Sequence, residues 1–233
     1  RAADLAVEAH NLAREMARPG RYEYEIQAEM EYMFSKAGGG PAYPSIVASG
    51  GNSCILHYVE NTRQLQEGDL LLIDAGCCYQ YYNSDITRTF PVSNKFTPEQ
   101  KIIYEIVLEA QKQAIAKIKP GTPYNEHHDA AVRVIVEGLM SLGLLVGEIE
   151  EIVKEEKYKP FFMHKTGHWL GLDVHDVGNY KYNEESWQVL QPGYILTVEP
   201  GIYISPAIKP VEGQPEVDPK WHGIGIRIED DLL

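Results

Sequence analysis

Gly68-Asp-Leu-Leu-Leu-Ile-Asp74-Ala-Gly76 returns later in the chain as Gly193-Tyr-Ile-Leu-Thr-Val-Glu199-Pro-Gly201. In each stretch an acid stands six residues after one glycine, at the end of an apolar run, and two residues before another glycine. Two generic strand ends can coincide by chance, so the surroundings must decide. Working outward from each copy, the same order of elements recurs: helix, Pro-Gly stop, helix, strands. In the first half, Leu5, Ala9, Leu12 and Met16 give Ala2–Ala17 a helical period, and Arg18-Pro19-Gly20 ends it. Tyr24–Lys36 repeats the pattern with Ile26, Met30, Met33 and Phe34, up to Gly38-Gly39-Gly40-Pro41. Strand-like runs follow at Ser45–Ser49, Cys54–Tyr58, Leu70–Ala75 and Asp85–Val92.

The second half restarts at Thr97, a helix cap with Pro98 at the first helical position and Gln100 closing a capping box. Ile103, Ile106, Ala110, Ala114 and Ile118 form its inner stripe, and Lys119-Pro120-Gly121 stops it. Tyr124–Leu142 and the acidic Val146–Lys157 read as further helices. Strands are expected at Trp169–Val174, Tyr194–Val198, Ile202–Ile204 and Ile224–Ile228. The pattern predicts one α+β domain over residues 1–233, built from related halves of roughly 1–95 and 96–233. A curved, mostly antiparallel sheet lies inside and helices outside.

Composition narrows the class. The chain has 233 residues, 44% of them hydrophobic, enough for a sizeable core. It has no apolar run long enough for a membrane span. A net charge of -13 without a Lys/Arg cluster argues against nucleic acid and anionic membrane as partners. Cys54 and the adjacent Cys77 and Cys78 make a poor disulfide framework, so a reducing cytoplasm is expected. The first residue, Arg1, is neither an initiator Met nor part of a signal-peptide pattern, and a fragment of a longer protein is expected.

The acids carry the chemistry. A carboxylate that ends an apolar strand must hydrogen-bond, protonate or bind a cation, because burying it alone is costly. If Leu70–Ala75 and Asp85–Val92 pair as a hairpin turning near Tyr79–Tyr82, strand parity sets Asp74 and Asp85 on one face. Alternation likewise groups Ile195, Thr197 and Glu199, and it sends Ile224, Ile226 and Ile228 to the core while Arg227 and Glu229 share the other side. Any one of these acids, taken alone, is better read as a cap or turn residue. Four at mirrored strand ends, joined by a histidine, suit a hard or intermediate divalent ion or a bridged pair.

The histidine comes from His164-Lys-Thr-Gly-His168-Trp-Leu-Gly-Leu-Asp-Val-His175-Asp-Val-Gly178. Its HxxxH spacing suggests a helical zinc site, but the usual glutamate is missing and Gly167 argues against a helix there. His10, His127 and His128 fall on helices and are expected to be solvated; His222 has no assigned role. Cys77 and Cys78 lie near Asp74, yet an oxygen-rich site needs no thiolate.

Asp74, Asp85, His168, Glu199 and Glu229, in this order, resemble the metal ligands of the pita-bread metallopeptidases. The strings HWLGLDVHDVG, LTVEPGIYISP, IDAG and SDITRTFPV are similar to the aminopeptidase P (Xaa-Pro aminopeptidase) branch, and the resemblance covers nearly the whole chain. It implies a pita-bread fold and two divalent ions, manganese by preference. Asp74 would hold one ion, His168 and Glu199 the other, and Asp85 and Glu229 would bridge them around a hydroxide. Glu199 would also move the proton. His57, His164 and His175 would face the substrate, with Tyr203 and Arg227 behind the ligands or against the substrate. The implied reaction is metal-dependent hydrolysis of an N-terminal Xaa-Pro bond. The implied partners are peptides with proline second, and a homo-oligomer is compatible with the reading.

The sequence departs from that branch in three respects. The resemblance implies an N-terminal creatinase-like domain and a longer tail, neither of which is expected within these 233 residues, and Lys165 puts a charge between His164 and His168. A methionine aminopeptidase or a prolidase-type dipeptidase would use the same ligand types. A metal-free binding module is opposed by the intact ligand set.

Overall fold

The computed structural model describes residues 1–209 and 211–233. Helices α1 (Ala2–Met16) and α2 (Glu23–Lys36) open the chain. Leu5, Ala6, Ala9 and Ala13 of the first pack with Ile26, Met30 and Phe34 of the second into one buried cluster. The strands β1 (Gly40–Pro41), β2 (Ile46–Ser49), β3 (Leu70–Asp74), β4 (Cys77–Tyr79), β5 (Tyr82–Asn83) and β6 (Thr87–Pro91) follow. The central strand β3 lies antiparallel between β2 and β6, with Asp74 opposite Ile46 on one side and Thr87 on the other. Between them β4 and β5 form a tight hairpin. Its turn residues, Gln80 and Tyr81, have φ of 51° and 70°, the left-handed pair that matches the twist of a two-residue hairpin.

The second half begins with α3 (Pro98–Lys117). Its capping box forms as expected: the Thr97 hydroxyl accepts from the Gln100 N–H and the Gln100 side chain accepts from the Thr97 N–H. α4 (Glu126–Ser141) and α5 (Ile149–Lys154) complete the helices. Ile103, Val107, Ala110 and Ala114 pack with Val132, Ile135 and Leu139 in the second buried cluster. Strands β7 (Leu196–Val198), β8 (Gly201–Ile204), β9 (Ile224–Arg227) and β10 (Asp230–Leu232) end the chain's ordered elements.

The expected duplication appears as topology. In each half an outer antiparallel pair encloses an inner one: β3 with β6 around β4 with β5, and β7 with β10 around β8 with β9. One acid ends the outgoing outer strand, Asp74 or Glu199. A second, Asp85 or Glu229, stands where the inner pair gives way to the returning outer strand. The halves meet at a bridge between Thr87 and Glu229. The architecture is α+β, and every strand pairing is antiparallel. No described helix is long and apolar enough to cross a membrane.

Several local expectations need correction. Cys54–Tyr58 is not a strand; Gly50–Cys54 form a 3-10 turn and the chain loops on from there. Trp169–Val174 is not a strand either. Only Trp169 bridges to Leu196, and the run folds back so closely that a Cβ at Gly171 would lie 2.0 Å from an Asp176 carboxylate oxygen. Tyr124 precedes α4 rather than joining it, and the acidic helix is confined to Ile149–Lys154. Val107 and Gln111, not Ile106 and Ile118, take buried places along α3. His10 and His127 are buried at 6% and 1% exposure and His128 is half-buried, so none of them is the solvated residue expected. The helical period was right there, but the face was wrong.

Candidate metal centre

Because β3 and β6 are in register at Asp74 and Thr87, Asp85 lies two residues beyond the pair and keeps its parity. Both carboxylates therefore turn to one side, and the Tyr43 hydroxyl lies between them, 2.6 Å from Asp74 Oδ1 and 2.5 Å from Asp85 Oδ1. The second half supplies its acids by the same device. Thr197 Oγ1 donates to Glu199 Oε1 at 3.2 Å, and the Glu199 N–H is tied to Thr166 O. Glu229, 1% exposed, accepts a 2.6 Å hydrogen bond from Thr87 Oγ1, across the junction of the halves.

His168 is oriented by its neighbour. Its Nδ1 donates to Trp169 O at 3.0 Å, which leaves Nε2 to face Asp85 Oδ2 at 3.3 Å and Glu199 Oε1 at 3.6 Å. Among the described residues, Asp85, His168 and Glu229 form the group whose candidate ligand atoms all lie within 4.8 Å of one another. Asp74 joins them through Tyr43, and Glu199 through His168.

The electrostatics follow from this crowding. Burial, then the charge of Asp85 and of the other acids, raises the Glu229 carboxyl well above its ordinary value. Burial lifts Glu199 to about 7 and also raises Asp74. Burial pulls His168 down, but its hydrogen bond to Asp85 and the charge of Glu199 outweigh that and raise it to about 9. Arg227 is the cation in direct contact, and it is engaged: Nη2 donates to Asp74 Oδ2 at 2.6 Å, Nη1 to Tyr203 Oη at 2.9 Å, and Nε to Thr87 Oγ1 at 3.2 Å. Four buried or half-buried carboxylates gathered in one place, three of them (Asp74, Glu199 and Glu229) raised by burial and by the neighbouring acids, with one correctly turned imidazole, are a donor set that fits divalent cations.

The remaining expected residues divide. His175 stacks edge-on against His168, ring centres 4.3 Å apart, and burial lowers its pKa. His57 is exposed on the loop after the 3-10 turn. His164 is used internally: Nδ1 donates to Lys165 O at 2.8 Å, and Nε2 accepts from Tyr203 Oη at 2.8 Å. Burial, then Arg227, lowers its pKa to about 3. Tyr203 is 1% exposed and sits behind the centre, between His164 and Arg227. His57, His164, His175 and all five candidate ligands line one cavity of about 1230 Å³.

Sequence reasoning missed Tyr43, Thr87 and Asp231. The last accepts the Asp85 N–H at 3.2 Å, as Thr87 O accepts the Glu229 N–H. Thr87 and Asp231 each stand two residues after an acid, so strand parity could have found them; Tyr43 carried no such signal.

The sequence matches the profile of Metallopeptidase family M24 over residues 1–233. Xaa-Pro aminopeptidase of Escherichia coli (strain K12) is 47% identical over 234 residues, which cover 100% of this chain and 51% of that protein. The structure of Pseudomonas aeruginosa aminopeptidase PepP is similar with a TM-score of 0.93 at 55% identity, covering 99% of this chain and 51% of that one. Zinc-substituted E. coli aminopeptidase P in complex with product gives a TM-score of 0.92 at 48% identity over the same shares. The chain thus spans about half the length of the relatives it matches.

Proposed function

We propose, from the premise that this chain belongs to metallopeptidase family M24, that it is the catalytic unit of an aminopeptidase that removes the N-terminal residue of a peptide whose second residue is proline. The observation that carries this reading is the convergence of Asp85, His168 and Glu229 among carboxylates too crowded to be ionised together without added cations. Asp74, Asp85, His168, Glu199 and Glu229 would hold two divalent ions, manganese by preference. Such ions would supply Lewis acidity and lower the pKa of bound water towards neutrality.

The chain's own residues do the rest. Glu199 takes a proton from the attacking water and gives it to the leaving proline nitrogen. His175, held neutral by burial, and His57 face the cavity and orient the scissile carbonyl. A bond to proline has no N–H, so recognition must rest on the carbonyl, the free amino terminus and the ring. The acids at the centre attract that amino terminus, which confines cleavage to the first residue. Tyr203 and Arg227 keep His164 and Asp74 in place. Three unpaired thiols support a reducing, cytoplasmic setting.

The deciding experiment compares an Xaa-Pro peptide with a Met-Ala peptide, with Mn²⁺ and with a chelator. Metal-dependent release from the Xaa-Pro peptide alone is expected. Turnover that survives chelation, or a preference for Met-Ala, overturns the reading.

A further inference from the structure

Glu23 is fully buried at the start of α2, far in sequence from every candidate ligand. Its carboxylate accepts five hydrogen bonds, and all come from the segment Ser49–Arg63. Oε1 takes the Ser49 N–H at 2.7 Å, the Ser49 hydroxyl at 2.7 Å and Asn52 Nδ2 at 3.2 Å. Oε2 takes the Tyr58 hydroxyl at 2.7 Å and the Arg63 N–H at 2.8 Å. One oxygen thus holds the entry of the loop, and the other holds its middle and exit. Arg63 closes the ring by donating to Ser49 Oγ at 2.7 Å.

Between these anchors the chain presents Leu56, His57 and Val59 to the cavity. The clasp forces an alternation there. Tyr58 is drawn inward, where its ring joins Ile46, Ala48, Leu72 and Tyr203, while Ile55, His57 and Val59 are exposed. No regular secondary structure holds residues 55–62, so side-chain anchors must. Asn61 adds a second tie, accepting from Val47 N–H and donating to Ser45 O.

We propose that Glu23 is a positioning residue that fixes the Gly50–Thr62 loop over the metal centre, and so sets where His57 meets the substrate. The proposal rests on the reading of His57 as a substrate-facing residue. Glu23→Gln keeps the shape of the side chain but turns an N–H₂ group towards donors, which breaks one end of the clasp.

The test uses the Mn²⁺-loaded protein. Amide exchange over residues 50–62 should quicken about tenfold or more in Glu23→Gln, while α3 and α4 exchange as before and metal content is unchanged. kcat/KM on an Xaa-Pro peptide should fall about tenfold, with kcat and KM both moving. In a His57→Ala background the same substitution should cost less than about threefold, because the loop no longer carries the group it positions. Unchanged exchange in residues 50–62, or an equal loss in both backgrounds, overturns the proposal. If Glu23→Gln does not fold, Tyr58→Phe removes one bond to Glu23, together with the hydrogen bond its hydroxyl accepts from the Thr62 N–H, and must show the same ordering at smaller size. If the parent protein cleaves no peptide, the reading of its activity fails, while the exchange arm still decides whether Glu23 holds the loop.

Discussion

Asp85 faces His168, receives the Tyr43 hydroxyl, and has its N–H held by Asp231, so its replacement disturbs the centre from three directions. Asp85→Asn should release at least one ion per chain and lower kcat/KM by more than about 100-fold; metal analysis and an Xaa-Pro assay check it. Tyr43→Phe is milder. It removes one donor shared by Asp74 and Asp85 and should weaken metal affinity about 10- to 100-fold without unfolding the chain, as calorimetric titration would read. The shifted groups also set a pH dependence for the metal-free protein. His168 is raised to about 9, so its stabilising contribution is complete below the ordinary value near 6.5 and is lost as pH rises through 9. Glu199 is a carboxyl raised to about 7, so the folded state favours its protonated form and loses that advantage between about 4.5 and 7. Both act in one direction: chelated protein loses stability as pH climbs across this window. Metal ions require the deprotonated ligands, so the rise in Tm on adding Mn²⁺ should grow from about pH 5.5 to about 8.5. A rise independent of pH would contradict the assignment of these two residues.

At the scale of elements, the paired hairpins depend on a close approach at their break points. A Cβ at Gly76 would lie 1.8 Å from Ser84 O and 2.9 Å from the Tyr43 ring, so the backbone of Ser84, next to Asp85, must move to admit it. Gly76→Ala should therefore cost about 3 kcal/mol in urea unfolding, whereas Gly40→Ala, which opens onto free space, should cost under about 0.5 kcal/mol. Gly76 and its counterpart Gly201 were part of the pattern that betrayed the fold, and packing explains why: a side chain at Gly201 would meet the Tyr203 hydroxyl at 2.5 Å. The strand runs that end in acids were legible because apolar stretch, acid and glycine follow one another in order. Trp169–Val174 was not, since Trp169 packs in an aromatic cluster, Leu172 is exposed on a loop and Val174 lines the cavity, and none of these places requires a strand partner. The buried histidines were illegible for a related reason. His10 serves by donating to Ala75 O at 3.0 Å, a contact with a strand end far along the chain that helical spacing does not encode. Glu23 was hidden in the same way, because its partners come together only after the loop has closed.

Across the whole molecule, the expected α+β pita-bread architecture is the one the chain adopts, and it matches that of the related aminopeptidases. Each half builds most of its own buried cluster, although Leu70 joins that of the second half and Tyr203 that of Ile46, Ala48 and Leu72, and the candidate ligands lie where the halves meet. Ions held there would tie the halves together. With metal at about 100 times its dissociation constant, stabilisation is about 2.7 kcal/mol, which for a chain of this size raises Tm by roughly 5 to 10 °C. Differential scanning calorimetry with and without chelator checks this, and coincident curves would place the ions elsewhere. The division of the centre between the halves also has a consequence for the order of synthesis. Asp74 and Asp85 leave the ribosome long before His168, Glu199 and Glu229 exist, and the two alone cannot assemble the group that Asp85 later makes with His168 and Glu229. The candidate centre comes together only when the segment that carries Glu229 docks beside Thr87, so the last antiparallel pair of the fold is also the step that completes the site.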